Sequence, residues 1–267
     1  LLQKCIISCM IKIKWYGTAS IMIDTDGEKL LFDPFFRWNK KLEKPSLEEF
    51  CNVDMMLNTH PHLDHTCDLP KILASTDAVL FAPPQTIECM KKYGVDEEKM
   101  MVIHPSEQIK TPNTLIKIHE SKHVKFDFWL ILKTVFRVIF TFQFKDAIKL
   151  LKLNRKFKMK NQIYAYEILA DNKKIFLMGS TGKMKNYKYP TDIDILVLPF
   201  QGRSNMARYS LSIIEKIKPK TIILDHFDDA YPPITKHIDT SKFIKLMKDK
   251  HPEITVIEPR YSEGIDI

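Results

Sequence analysis

The chain has 267 residues, 45% hydrophobic and 28% charged, which is enough to bury one large core and argues against global disorder. Its five cysteines (Cys5, Cys9, Cys51, Cys67 and Cys89) are odd in number and form no CxxC pair, which argues against a disulfide scaffold and points to a reducing compartment. The net charge of +8 is concentrated: residues 124–160 hold ten Lys or Arg against two Asp, an excess equal to the whole net charge.

Leu1 to Met10 is apolar but short, without a small-residue cleavage pattern, and Met10 is the expected natural start. With no run clean enough to cross a bilayer, the chain reads as soluble and cytoplasmic. Short apolar or alternating runs predict strands over Ile11–Trp15, Ser20–Ile23 and Lys29–Phe32. Asp26-Gly27 supplies a hairpin turn, and Asp33-Pro34 closes the third strand. Val53–Leu57 reads as a buried strand, followed by helices over 69–75 and 85–93, the second capped by Gly94. Leu115–Ile118 predicts a further strand ending near His119 and His123. The second half repeats the style, with strands at Ile163–Leu169, Lys174–Met178, Ile193–Leu198, Thr221–Leu224 and Ile254–Ile257, and helices at Met206–Ile217 and Lys242–Lys250. Strand groups broken by helices in both halves predict an α/β fold with two sheets in a single domain, 1–267, carrying a basic aromatic insert at about 124–160. Within that insert Trp129, Leu132, Phe136, Ile139 and Phe140 recur at spacings of three and four, the pattern of an amphipathic helix, although its Val, Ile and Phe content also suits a strand.

The chemistry concentrates in Thr59-His60-Pro61-His62-Leu63-Asp64-His65, which places four metal-competent side chains within six residues at the carboxyl end of a buried strand. Imidazole and carboxylate together suit zinc, iron or manganese better than calcium. Pro61 favours an extended turn over a helix here, so that His60 and His62 point one way and Asp64 and His65 face a second position. Cys67, just past this run, has a conceivable metal or redox role, but a small apolar residue is the better reading of all five cysteines. No G-x-S-x-G elbow, Walker A or G-x-G-x-x-G run occurs, which argues against serine hydrolases, phosphate loops and dinucleotide cofactors. Gln201 and Arg203 follow another strand and read either as substrate contacts or as plain surface.

The His60–His65 run resembles the T-H-x-H-x-D-H signature of the metallo-β-lactamase superfamily. Trp15–Ile23 and Leu31-Phe-Asp33-Pro resemble its opening strands, most closely those of the branch that includes ascorbate-phosphate lactonase. The likeness spans nearly the whole chain apart from 124–160. It implies an αββα sandwich of two mixed sheets with helices outside and metals at one edge. It also implies a first metal site of His60, His62 and a His after a middle strand. His123 is the natural match, and His119, within the strand, is the competitor. Asp64 and His65 are then joined by a late His, best matched by His226, while His237 and His251 read as surface residues.

The departure is at Gly179-Ser180, where the family has Gly-Asp and the Asp bridges both metals. Ser180 is a poor ligand and removes a negative charge, which implies a second ion bound weakly or not at all. Asp225, Asp228 or Asp229 is a less favoured substitute, since adjacent acids usually face solvent. The resemblance thus implies a hydrolase using water activated by Zn2+ (one or two ions, with Mn2+ or Fe2+ also suited) on an ester, lactone or phosphodiester of a small anionic substrate. With the second ion missing, Asp64 would orient the water or act as base. Two alternatives stand beside it: a degenerate metal-binding scaffold or sensor, and a nucleic-acid or phospholipid phosphodiesterase using the insert. The insert itself reads as a solvated hairpin, as a lid over the metal edge, or as a surface for anionic membrane or nucleic acid. Oligomeric state is open.

Overall fold

The computed structural model describes residues 11–157 and 162–267, so Cys5, Cys9 and the expected start at Met10 lie outside the described residues. In chain order the first half runs β1 (Ile11–Trp15), β2 (Ile21–Thr25), β3 (Glu28–Phe32), α1 (Leu47–Cys51), β4 (Met55–Leu57), α2 (Leu63–Thr66), α3 (Leu69–Leu73), β5 (Val79–Ala82), α4 (Pro84–Lys92), β6 (Met100–Val102), β7 (Gln108–Lys110) and β8 (Thr114–Ser121). Two helices follow, α5 (Phe128–Phe140) and α6 (Phe144–Phe157). The second half runs β9 (Ile163–Ala170), β10 (Lys173–Met178), β11 (Ile195–Pro199), α7 (Met206–Ile217), β12 (Thr221–Asp225), α8 (Ser241–Lys250), β13 (Thr255–Ile257) and β14 (Gly264–Asp266).

The strands form two seven-stranded sheets, β14-β1-β2-β3-β4-β5-β6 and β13-β12-β11-β10-β9-β8-β7. Each mixes antiparallel meanders with parallel strands, the latter β3 to β6 in one sheet and β10 to β13 in the other. The strand β1 alternates Ile and Lys and buries only its apolar side, whereas β11 is covered on both faces and is apolar throughout. In the β2–β3 hairpin Asp26 (φ 56°) and Gly27 (φ 88°) both take the left-handed backbone that a two-residue turn needs. The main core lies between the sheets, where Phe32 of one meets Tyr166 of the other. A second core under the first sheet joins Leu31, Met56 and Leu80 to Phe50, Ile72 and Met90. Helices α7 and α8 cover the second sheet through Leu211, Ile214, Phe243 and Met247. This is the αββα sandwich expected from the sequence.

The strand possibility for the insert is not realised; both halves of it are helical. Helix α6 sinks Leu150 and Phe157 into the second core and packs against α2. The elements not anticipated, such as β6, β7, β14 and α1, are three to five residues long, too short to show a period. Pro61 also ends its influence sooner than expected. His62 is extended (ψ 156°), and a single helical turn, α2, begins at Leu63. Proline restrains the residues up to itself and leaves the chain free to coil after it.

Burial of Tyr16 and Tyr164 pushes both phenols up from 10.0 to about 12, with nearby glutamates adding to the effect. The unfolded chain ionises them from about pH 10, so their effect is nil below that pH. Above it, stability falls by about 1.4 kcal/mol per pH unit for each ring until the folded-state value is reached. Urea unfolding at increasing alkaline pH should show this slope, and Tyr16→Phe should remove Tyr16's share. A flat profile to pH 12 would contradict the packing of both rings.

Candidate metal centre

The site is assembled from strand ends. Strands β8 and β10 run the same way, because each is antiparallel to β9, and β11 and β12 follow β10. Their carboxyl ends therefore share one edge, facing the carboxyl ends of β3 and β4 in the other sheet. His60 follows β4, His123 follows β8, Ser180 follows β10 and His226 follows β12. The sheets are laced together here by the Tyr164 amide donating to the Thr59 carbonyl (2.9 Å) and by the Tyr166 hydroxyl donating to the Asn58 carbonyl.

All six residues singled out in the sequence come together, in two groups. His60, His62 and His123 each offer a ligand atom within 4.8 Å of the others, and so do Asp64, His65 and His226. His119 stays apart. It sits on β8 between Tyr187 Oη (3.1 Å) and Glu167 Oε2 (3.0 Å) in a polar network on the sheet. His237 and His251 lie at the surface as expected, His237 exposed with its ring against Phe227 and His251 paired with Glu253.

Hydrogen bonds select which ring nitrogens point inward. His123 Nδ1 donates to the Val124 carbonyl (2.7 Å), leaving Nε2 free. His65 Nδ1 lies 2.7 Å from Asp33 Oδ2, which leaves its Nε2 as the available lone pair. His60 turns Nδ1 to Thr59 Oγ1 (2.9 Å) and Nε2 towards His62 Nδ1 (3.1 Å). Burial, then the neighbouring imidazoles, holds His60 well below the ordinary histidine range, and burial lowers His123 as well. Both are therefore neutral, the state in which an imidazole can ligate a metal.

Burial opposes charge on Asp64, but His65 and His226 outweigh it and hold its carboxyl well below the usual range. His226 Nε2 lies 3.1 Å from Asp64 Oδ2. Burial lowers the His226 ring, yet Asp64 overrides this and raises it. The His226 backbone is left-handed (φ 58°), which bends the chain at the end of β12, and its amide donates to the Thr18 carbonyl (2.7 Å). Converging neutral imidazoles beside one ionised carboxylate form a donor set that fits a divalent cation.

Several supporting groups were not singled out in the sequence. Asp33 accepts from the Asn58 amide, the Thr59 amide and the Thr59 hydroxyl besides fixing His65. Its one legible signal was the Asp-Pro step at a strand end. The Tyr231 hydroxyl donates to Asp64 Oδ2 (3.3 Å), and nothing in the sequence marked it. Replacing Asp33 with Asn should cost roughly 10–100-fold in metal affinity, because the tautomer and angle of His65 are no longer held. Metal titration of the apo-protein would show it, and unchanged affinity would refute the role.

Ser180 is buried, and its hydroxyl accepts from the Val124 amide (3.0 Å). The flanking glycines allow close approach: a Cβ on Gly179 would lie 2.5 Å from Thr59, and one on Gly182 would lie 2.1 Å from the Lys122 carbonyl. The expectation that the acids of the His226 loop face solvent is not met. Asp228 is buried, accepting from the Thr18 amide (3.0 Å) and pairing with buried Arg37 (3.4 Å). Asp229 accepts from the Thr235 hydroxyl (2.8 Å). Asp225 is buried with Oδ1 unpartnered among the described residues, and burial pushes its carboxyl well up. None of the three joins either ligand group. A tight loop carries these acids inward, where the Thr18 amide and Arg37 meet Asp228 and the Thr235 hydroxyl meets Asp229. Arg203 is held by the Lys125 carbonyl (2.8 Å) and stacks on Tyr209. The Cys67 thiol lies against Asp68, and burial, then that carboxylate, raises it far from the thiolate form.

Two facing sheets with paired His/Asp groups at one edge define the class as an αββα metal-site sandwich. Residues 12–226 match the beta-lactamase superfamily domain, and the chain belongs to that superfamily, the metallo-β-lactamase superfamily of metal-dependent hydrolases. A UPF0173 metal-dependent hydrolase of Pyrococcus abyssi is 26% identical over 257 residues, covering 94% of this chain and 97% of that one. Another from Bacillus cereus is 23% identical over 242 residues, covering 89% and 93%. In fold, the chain resembles Igni18, a metallo hydrolase of Ignicoccus hospitalis, with a TM-score of 0.67 at 17% identity over 97% of this chain and 98% of that one. It also resembles the metallo-beta-lactamase fold protein YhfI of Bacillus subtilis, with a TM-score of 0.64 at 12% identity over 97% and 100%.

Proposed function

We propose that the protein hydrolyses an ester, lactone or phosphodiester bond in a small anionic substrate, with Zn2+ held by His60, His62 and His123 and a weaker second position at Asp64, His65 and His226. The observation that carries this is the pair of ligand groups side by side at the strand ends, with His60 and His123 held neutral in one and an ionised carboxylate in the other. Zn2+ bound there supplies Lewis acidity and lowers the pKa of a water towards ~7; Mn2+ or Fe2+ suits the same donors.

The remaining work falls to the chain itself. With the second position empty, Asp64, ionised and held by Tyr231 and His226, is placed to orient the attacking water or to accept its proton. Anionic substrates are favoured by the basic residues on the loops around the site: Lys122 and Lys125 flank His123, and Lys183 follows Gly182. Lys183 Nζ lies over the Tyr209 ring (4.2 Å), and burial, then Arg203 and Lys216, lowers its ammonium.

Turnover on a panel of lactones, phosphodiesters and thioesters, with metal content measured in parallel, tests the reading. Hydrolysis of one class that scales with bound metal supports it. Full metal occupancy with no turnover on any class would replace it with a metal-binding scaffold, the reading that Ser180 favours. Activity confined to nucleic-acid or phospholipid diesters would select the phosphodiesterase.

A further inference from the structure

Helix α5 carries its polarity reversed. Its protein-facing side holds Leu130, Thr134, Arg137 and Val138, and Arg137 donates to the carbonyls of Pro233, Ile234 and Thr235 (2.8 Å for the last). The opposite side exposes Phe128, Trp129, Val135, Phe136, Ile139 and Phe140, with Trp129 62% and Phe140 74% exposed. No residue of α5 is buried. Phe142 (84% exposed) and Phe144 extend the apolar surface through the turn into α6. A helix of a water-soluble surface has the reverse arrangement, and so continuous an apolar stripe marks a contact surface.

The basic residues flank this stripe. Lys133, Lys145, Lys149, Lys152, Arg155 and Lys156 are exposed, and α6 is anchored beneath by Ala147, Leu150 and Phe157. The start of α5 is equally fixed, by Asp127 accepting from the Leu130 amide and from Ser204. The hairpin is thus a firmly seated platform with an apolar stripe outward and cations beside it.

We propose that the α5–α6 hairpin docks on an anionic phospholipid bilayer, with the stripe entering the headgroup–acyl boundary and the flanking Lys and Arg meeting anionic headgroups. None of the helices among the described residues is long and apolar enough to cross a membrane, and α5, about 20 Å long, fits a helix lying in the interface. A second copy of the chain is disfavoured, because it would bring the two sets of exposed cations together with few acids between them. Nucleic acid is disfavoured because aliphatic Val135 and Ile139 share the stripe with the aromatics, whereas base stacking needs aromatic faces. The surface adjoins the metal edge, since Phe126, at the entry to α5, packs on the His123 ring (5.9 Å between centroids).

Co-sedimentation with vesicles of equal parts phosphatidylcholine and phosphatidylglycerol tests this. The wild type should bind them, bind phosphatidylcholine vesicles far less, and weaken with salt. The exposed-face variant F128S/W129S/F136S/F140S should bind roughly 100-fold or more weakly. Each of Lys145→Gln and Lys149→Gln should cost about five-fold. Metal content and small-substrate turnover of the exposed-face variant should match the wild type, which separates this proposal from the hydrolase reading. No binding to anionic vesicles overturns the proposal, as does binding that the exposed-face variant retains. Tight RNA binding without vesicle binding assigns the cations to nucleic acid and overturns it, and a dimer abolished by the same variant without vesicle binding assigns the stripe to a second copy.

Discussion

Replacing His123 with alanine is expected to lower kcat/KM by about 10³-fold or more and to remove the tightly bound ion. The loss follows from the number of donors. His60 and His62 alone present two imidazoles, whereas a catalytic zinc takes three protein ligands and leaves one position open. The Lewis-acid contribution at stake is several kcal/mol, and each 1.4 kcal/mol is a factor of ten in rate. The fold should survive, because His123 sits on a loop and its ring donates to the neighbouring Val124 carbonyl rather than to a distant element. His119→Ala is the matched control. It breaks the contacts with Glu167 and Tyr187 on the sheet, and should cost about 1–3 kcal/mol of stability while leaving metal content intact. Metal analysis, steady-state kinetics and urea unfolding of the two variants decide the matter. If His119→Ala lost the metal and His123→Ala kept it, the division between a ligand group and a sheet network would be reversed.

The sandwich was legible because its central strands are buried on both faces, so that runs such as Ile195–Pro199 stay apolar end to end. The six residues of the two groups were legible for a related reason. Parallel strands deliver their carboxyl ends to one edge, so a His just past a buried strand is placed by topology before any contact is known. The supporting shell followed no such rule. Asp33 and Tyr231 reach the site from separate loops, and a loop's path is set by tertiary contacts rather than by period. Asp225 and Asp228 were misread because burial of an acid depends on partners distant in sequence: the Asp228 carboxylate meets Thr18 and Arg37, some 210 and 191 positions away. The outward stripe of α5 was hidden too, since the three-and-four spacing fixes that one face is apolar but not which way it turns.

Replacing Ser180 with aspartate is expected to raise metal stoichiometry from about one tight ion to two. In the native chain the Ser180 hydroxyl is neutral and already accepts the Val124 amide, so the second group relies on Asp64, His65 and His226 with a single carboxylate among them. An aspartate can take over the Val124 hydrogen bond with one oxygen and adds a negative charge where two cations would otherwise repel. Even a supporting group is worth roughly 10–100-fold in metal affinity, so a new carboxylate should tighten the second ion by at least that factor. Titrating both apo-proteins with zinc, and locating the ions by anomalous scattering, measures the difference directly. Two equally tight ions in the native chain would overturn the role given to Ser180. Attention would then pass to Asp225, buried beside His226 with one oxygen unpartnered among the described residues. In that case Asp225→Asn should abolish the second ion, whereas if Ser180 is what weakens that position, Asp225→Asn should leave the single tight ion in place.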